Sequence, residues 1–182
     1  MSQSDSSSAQ PLAIRAPLLT LRIIVVALAL GVGVFAAFAI SQNIGKPHVL
    51  AGKLEPLNVV LLGMGLVVLP LGIFLPAVIF ASSRHQPLRM PPHLIKDPLH
   101  GQVLGIMQRI QISTIVGCAL FEGGAFANLV GYMQTRELMH LVLAGVCVLG
   151  ILSRFPTTAA YEQRILDELR RLDEEEALKK TP

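Results

Sequence analysis

The chain has 182 residues, of which 52% are apolar and only 15% charged, and its mean hydropathy is +0.59. Such a balance lies outside the usual range of soluble domains. The formal charge of +3 comes from basic residues flanking apolar runs, which are topology signals rather than a nucleic-acid-binding patch, and two cysteines within those runs make no disulfide framework.

In chain order, residues 1–17 begin with five serines in the first ten positions and read as a disordered cytoplasmic tail. Residues 18–40 form the first run long enough to cross a hydrocarbon core of about 30 Å as a helix. Ala37-Phe38-Ala39 at its end resembles a signal-peptide cleavage site, but the run exceeds the usual apolar region of about 7–15 residues and no basic residue stands near Met1. The reading kept is therefore a membrane span. Residues 41–56 are rich in breakers, among them Asn43, Gly45, Pro47, Gly52 and Pro56, and predict an irregular loop.

The second run, residues 57–81, carries Asn58 near its start and Gly63, Gly65, Pro70, Gly72 and Pro76 within it. These weaken soluble helices but are common in membrane ones, and a kink is expected near Pro70. Residues 82–101 contain Pro87, Pro91, Pro92 and Pro98, which exclude a continuous helix. Here His85, His93 and His100 lie beside Asp97, but spacings of eight and seven across prolines do not converge on a metal, and none is expected.

Residues 102–111 alternate apolar and polar and either continue the third helix into the headgroup region or lie along that region; the third run, residues 110–133, holds Glu122. At 100° per residue, Gln111, Cys118, Glu122, Leu129 and Met133 share one face, and Ser113, Gly117, Gly124 and Gly131 lie opposite. Glycines at seven-residue spacing allow another helix to approach closely, either within the chain or in a second copy. Only residues 134–137 separate this run from the fourth, residues 138–152, so the two must form a tight antiparallel hairpin. The fourth is the shortest and has His140 near its start.

Beyond it, Pro156 ends the helix, Thr157 or Thr158 can cap a new one, and Tyr161, Ile165, Leu169 and Leu172 make a narrow apolar stripe. That stripe suits a coiled-coil seam, the membrane surface or the underside of the inner loop, or else the segment is a simple solvated stop. Asp173-Glu174-Glu175-Glu176 favours a solvated end.

Twelve of the fifteen Lys and Arg fall before or at the start of the first span, between the second and third, or after the fourth; only Lys46, Lys53 and Arg136 fall on the other side. The basic-residue rule then places both termini in the cytoplasm. The sequence predicts an all-α protein: a four-helix transmembrane bundle over residues 18–155, multi-pass in the cell (inner) membrane, followed by a cytoplasmic amphipathic helix and tail over residues 156–182.

Glu122 is the only acidic residue in these runs, and an ionisable group at bilayer depth costs roughly 2.5 kcal/mol or more, which makes it a functional-site candidate. It can be a protonated structural donor, a reversible proton or cation carrier, or part of a ligand or lipid site. Gln111, Asn128 and Asn58 are its candidate polar partners.

Gly117-Cys118-Ala119-Leu120-Phe121-Glu122, followed by Leu129-Val130, resembles the carboxylate-bearing helix of rotary ATP synthase c subunits, and Arg84-His85-Gln86-Pro87 is faintly similar to their polar loop. The resemblance implies that Glu122 carries a transported proton. It covers about one helix, and this chain departs from the family in having two extra spans, a longer inner loop and few alternating glycines. A longer stretch, from Ala119 through Asn128 to Arg154-Phe155-Pro156-Thr157, resembles a group of uncharacterised bacterial four-span membrane proteins, which implies architecture alone.

No Ser/His/Asp set, metal cluster or phosphate loop is visible, so neither catalysis nor a cofactor is expected. The expected role is an interaction or accessory subunit in the lipid bilayer, paired with itself or with another membrane protein, with no nucleic-acid partner. The alternative is a proton- or small-cation-translocating protein.

Overall fold

A computed structural model describes residues 10–50, 56–83 and 98–180, with the side chains of residues 10–14, 98–100, 176, 179 and 180 left aside. The described chain is helical almost throughout, in five helices: α1 (Gln10–Ser41), α2 (Pro56–Ser82), α3 (Pro98–Thr135), α4 (Leu138–Ser153) and α5 (Thr158–Lys180). α1 starts well before residue 18, so residues 10–17, which the sequence assigned to the tail, are helical. α2 runs unbroken through Pro70 and Pro76. α3 absorbs residues 102–111, the first of the two alternatives, and reaches 38 residues. The histidine-bearing segment is not placed: His85, His93 and Asp97 lie outside the described residues.

Among the described residues, three helical stretches are long and apolar enough to cross a membrane, Arg15–Ser41, Pro56–Ser82 and Gly101–Thr135. The fourth expected span is the exception. α4 has 16 residues, about 24 Å at 1.5 Å per residue, which falls short of the hydrocarbon core. It passes the same test only together with α5, across a break where the chain bends by 65°.

α3 is the central element, and α1, α2, α4 and α5 all pack on it. One core cluster joins Val25, Val32 and Ala39 of α1 to Cys118, Phe121, Ala125, Leu129 and Tyr132 of α3 and to Ala144, Cys147 and Ile151 of α4. The α1 residues recur every seven positions, the spacing that keeps a seam on one side of a helix packed lengthwise on another. Phe35 of α1 meets Phe126 of α3 edge to face at 5.2 Å between ring centres. A second cluster joins Leu18 and Leu21 of α1, Ile106, Met107 and Ile110 of α3, and Tyr161 and Ile165 of α5, with Leu169 and Leu172 packed against it. The narrow stripe of α5 therefore folds onto the chain's own helices, which overturns the solvated stop.

Large apolar side chains remain exposed along α1 and α2, among them Leu30, Val34, Leu66 and Phe74 at 62–70% exposure. In water such a surface would be a liability; against lipid tails it costs nothing.

Candidate functional site

The glycine face of α3 is covered by the chain itself. A Cβ on Gly117 would stand 2.9 Å from Pro76 Cγ, one on Gly124 2.9 Å from Val68 Cγ1 and 3.3 Å from Cys147 Sγ, and one on Gly131 2.5 Å from His140 Cε1. α2 and α4 thus approach α3 so closely that only hydrogen fits at these three positions. Ser113 is buried on the same side and donates to the Ile110 carbonyl at 3.0 Å.

The opposite face meets α1. Gln111 Nε2 donates to the Pro17 carbonyl at 3.0 Å, Cys118 and Leu129 lie in the α1 seam, and Met133 packs against it. Glu122 points to the same side, where its Oε1 lies 3.8 Å from the place a Cβ on Gly31 would take. The residue is half-buried, and no hydrogen bond to its carboxyl is found among the described residues.

Within the one chain, none of the three candidate partners reaches Glu122. Gln111 is taken by α1, while Asn58 and Asn128 turn to a separate network at the end of α3 where the α3–α4 turn lies, the hairpin end. There Asn128 Nδ2 donates to the Gly124 carbonyl at 2.9 Å, and its Oδ1 faces His140 Nδ1 at 3.0 Å. His140 Nε2 bonds to Asn58 Oδ1, and Asn58 Nδ2 donates to the Glu137 carboxylate. The four residues are 0–4% exposed and come from α2, α3, α4 and the turn, so this polar cluster welds three helices together.

Two orientations of the Asn58 amide are compatible with these contacts. With the amides placed as above, both ring nitrogens face acceptor oxygens; turning the Asn58 amide over gives the ring one acceptor and one donor partner. Glu137 precedes the first turn of α4, where a negative charge also meets the favourable end of the helix dipole.

The loop after α1 seals this end. Val49 donates to the Arg136 carbonyl at 3.3 Å and accepts from the Leu138 amide at 3.0 Å, and Tyr132 Oη lies 3.3 Å from His48 Nδ1. Arg136 makes the turn at φ 59°, the left-handed conformation that lets two residues, Arg136 and Glu137, reverse the chain between α3 and α4.

At the other end, where α5 starts, proline chemistry sets the geometry. Pro76 has no N–H for the Gly72 carbonyl four residues earlier, which would be an orphaned acceptor. Arg154, just past α4, supplies the missing donor: its Nη2 lies 2.8 Å from Gly72 O and 3.5 Å from Ile73 O. Arg22 of α1 ties the same corner, donating to Pro156 O and Thr158 Oγ1 at 3.0 Å each and lying 5.8 Å from the centre of the Phe155 ring.

Tyr161 is 2% exposed, and its hydroxyl is buried without a hydrogen-bond partner among the described residues. Burial pushes its phenol up to about 12, so at neutral pH it remains an O–H donor. Glu168, on the next turns of α5, has its carboxyl raised above the usual range, mainly by burial and also by Glu175, against the opposing pull of Arg109.

Sequence reasoning missed Glu137, His140, Arg154 and Tyr161. Two of them left a signal: an ionisable residue inside a short apolar run, as His140 is, demands a partner, and a proline at position 76 demands a donor for residue 72. Comparison with known proteins adds no neighbour: no family model, curated protein or solved structure matches the chain.

Proposed function

We propose that this chain is a multi-pass protein of the cell (inner) membrane, with both termini cytoplasmic, that works by association rather than catalysis, as a homo-oligomer or an accessory subunit of a membrane assembly. The observation that carries this reading is the Glu122 carboxyl, half-buried on the α1 side of α3 and without a hydrogen bond among the described residues. In hydrocarbon such a group needs a partner. The faces of α3 toward α2 and α4 are closed by contact, which leaves the α1 seam and its margin as the side a second protein can reach. A neutral carboxyl there donates one O–H and still accepts, which suits a backbone carbonyl or amide side chain of a neighbour. The orientation rests on the twelve-to-three distribution of basic residues.

The test is the particle size of the purified chain, by native mass spectrometry or single-particle imaging, for wild type, Glu122→Gln and Glu122→Leu. Glutamine keeps shape and donor and should keep the assembly; leucine leaves the partner's acceptor unpaired at about 1–3 kcal/mol and should weaken it. A wild-type monomer, or assemblies indifferent to both changes, overturns the proposal. For the orientation, a cysteine at Lys46 should react with an impermeant label on intact cells and one at Arg164 should not.

A second reading, proton or small-cation exchange at Glu122, draws on the c-subunit resemblance and on a carboxyl that makes no hydrogen bond among the described residues. Under that reading both substitutions abolish flux across reconstituted vesicles alike while assembly persists.

A further inference from the structure

Two adjoining cavities open at the α5 end. The larger, about 310 Å³, has an apolar wall of Ile73, Pro76, Phe80 and Ile110, and Arg154 and Arg164 beside it. The smaller, about 130 Å³, is lined by Thr114, Ser153 and Tyr161 and shares Ile110 and the same two arginines. We propose that this double cavity binds a membrane phospholipid by its phosphodiester, held by Arg154, Arg164 and the Tyr161 hydroxyl, with the acyl chains leaving along α2.

Four observations converge on that ligand. The Tyr161 hydroxyl is buried and lacks an acceptor among the described residues, and its residue lines the smaller cavity. A donor kept dry beside two guanidinium groups is matched by an anionic oxygen, because hydrogen bonds to charged acceptors are about twice as strong as neutral ones. Arg154 is already positioned: both of its bonds to the α2 carbonyls leave from Nη2, and a guanidinium carries five N–H donors in a fixed fork.

The apolar wall then identifies the source of the phosphate. Ile73 continues into Phe74 and Val78, which are exposed on α2, so the cavity opens onto the surface suited to lipid tails. The cleft also stands where the apolar part of α2 ends, the depth at which headgroups lie.

Asp167 and Glu168 border the larger cavity on its α5 side. Acids there oppose a second phosphate and match a cationic group, so a headgroup with one phosphate and one amine, such as ethanolamine, fits both walls. The site goes beyond the association reading and makes no use of Glu122, so failure of one leaves the other standing.

The experiment is native mass spectrometry of the delipidated full chain titrated with phosphatidylethanolamine, diacylglycerol or inorganic phosphate, for wild type, Tyr161→Phe and Arg164→Ala. Arg164 is exposed and Tyr161→Phe keeps the ring, so both variants should fold, which α-helical circular dichroism checks. Wild type should retain one phosphatidylethanolamine and no diacylglycerol, and each variant should bind it about tenfold more weakly, the effect expected of one charge-assisted hydrogen bond. Equal retention of diacylglycerol, or variants that bind as wild type does, overturns the site. Inorganic phosphate stabilising the wild type as well as the lipid does overturns the lipid source.

Discussion

The two ends of α3 carry polar clusters built from similar parts but left in opposite states. At the hairpin end Asn58, Asn128, Glu137 and His140 satisfy one another within a closed ring of helices. At the α5 end Arg154 and Arg22 tie backbone carbonyls, yet the Tyr161 hydroxyl beside them is dry and unmatched among the described residues. A buried polar group that has its partners specifies how helices meet; one that lacks them is a liability unless something arrives to meet it. The first cluster therefore holds the architecture, and the second is the place where we propose that a lipid arrives, with Glu122 lying between the two.

The sharpest way to break that contrast is at the paired end. Asn58→Leu strips partners from both Glu137 and His140, and two unmade buried bonds should cost about 2–5 kcal/mol in thermal or denaturant unfolding in detergent. A loss no larger than that of Glu122→Leu would mean that the hairpin cluster is not the tie between α2 and α4.

Next in size is close approach along α3 itself. Gly124→Leu drives a side chain into Val68 and Cys147 and should cost about 1–3 kcal/mol, whereas a Cβ on the adjacent Gly123 meets nothing within 4 Å. Gly123→Ala should consequently stabilise by about 0.5–1 kcal/mol through helix propensity alone. Equal effects at the two positions would show that the glycine face is not a packed seam.

The unmatched end predicts the opposite sign. In delipidated protein Tyr161→Phe removes a hydroxyl that is buried without reward and should raise stability by about 1 kcal/mol. A destabilisation by that substitution would reveal a partner for the hydroxyl and dissolve the contrast between the two ends.

The smallest effect concerns Glu168. Its folded-state carboxyl is raised above the unfolded value, chiefly by burial, so the stability it contributes is full below the usual carboxylate range and is lost as pH rises through the raised value. Unfolding monitored from pH 4 to pH 8 should show a decline that Glu168→Gln removes. A pH profile identical in the two proteins would mean that α5 is not held down at this residue.

The apolar runs located the spanning parts of α1, α2 and α3, since uninterrupted apolar length is a local property, though residues 10–17 were missed; periodicity and spacing located the α5 stripe, without what it packs on, and the tight α3–α4 turn. For α4 the expected fourth span stays open: its 16 residues are short for a crossing, and they meet the length and apolarity of one together with α5 across the 65° bend. The sequence singled out Glu122 and the glycine register, both visible as departures from an apolar background. It could not pair Asn58 with His140, 82 residues apart, or Arg154 with Gly72, also 82 apart. A side chain's need for a partner is written in the sequence, but which partner answers it depends on the angle and depth at which helices cross. Those are set by steric fit, such as Pro76 against Gly117 and Val68 against Gly124, and fit exists only once the helices have met.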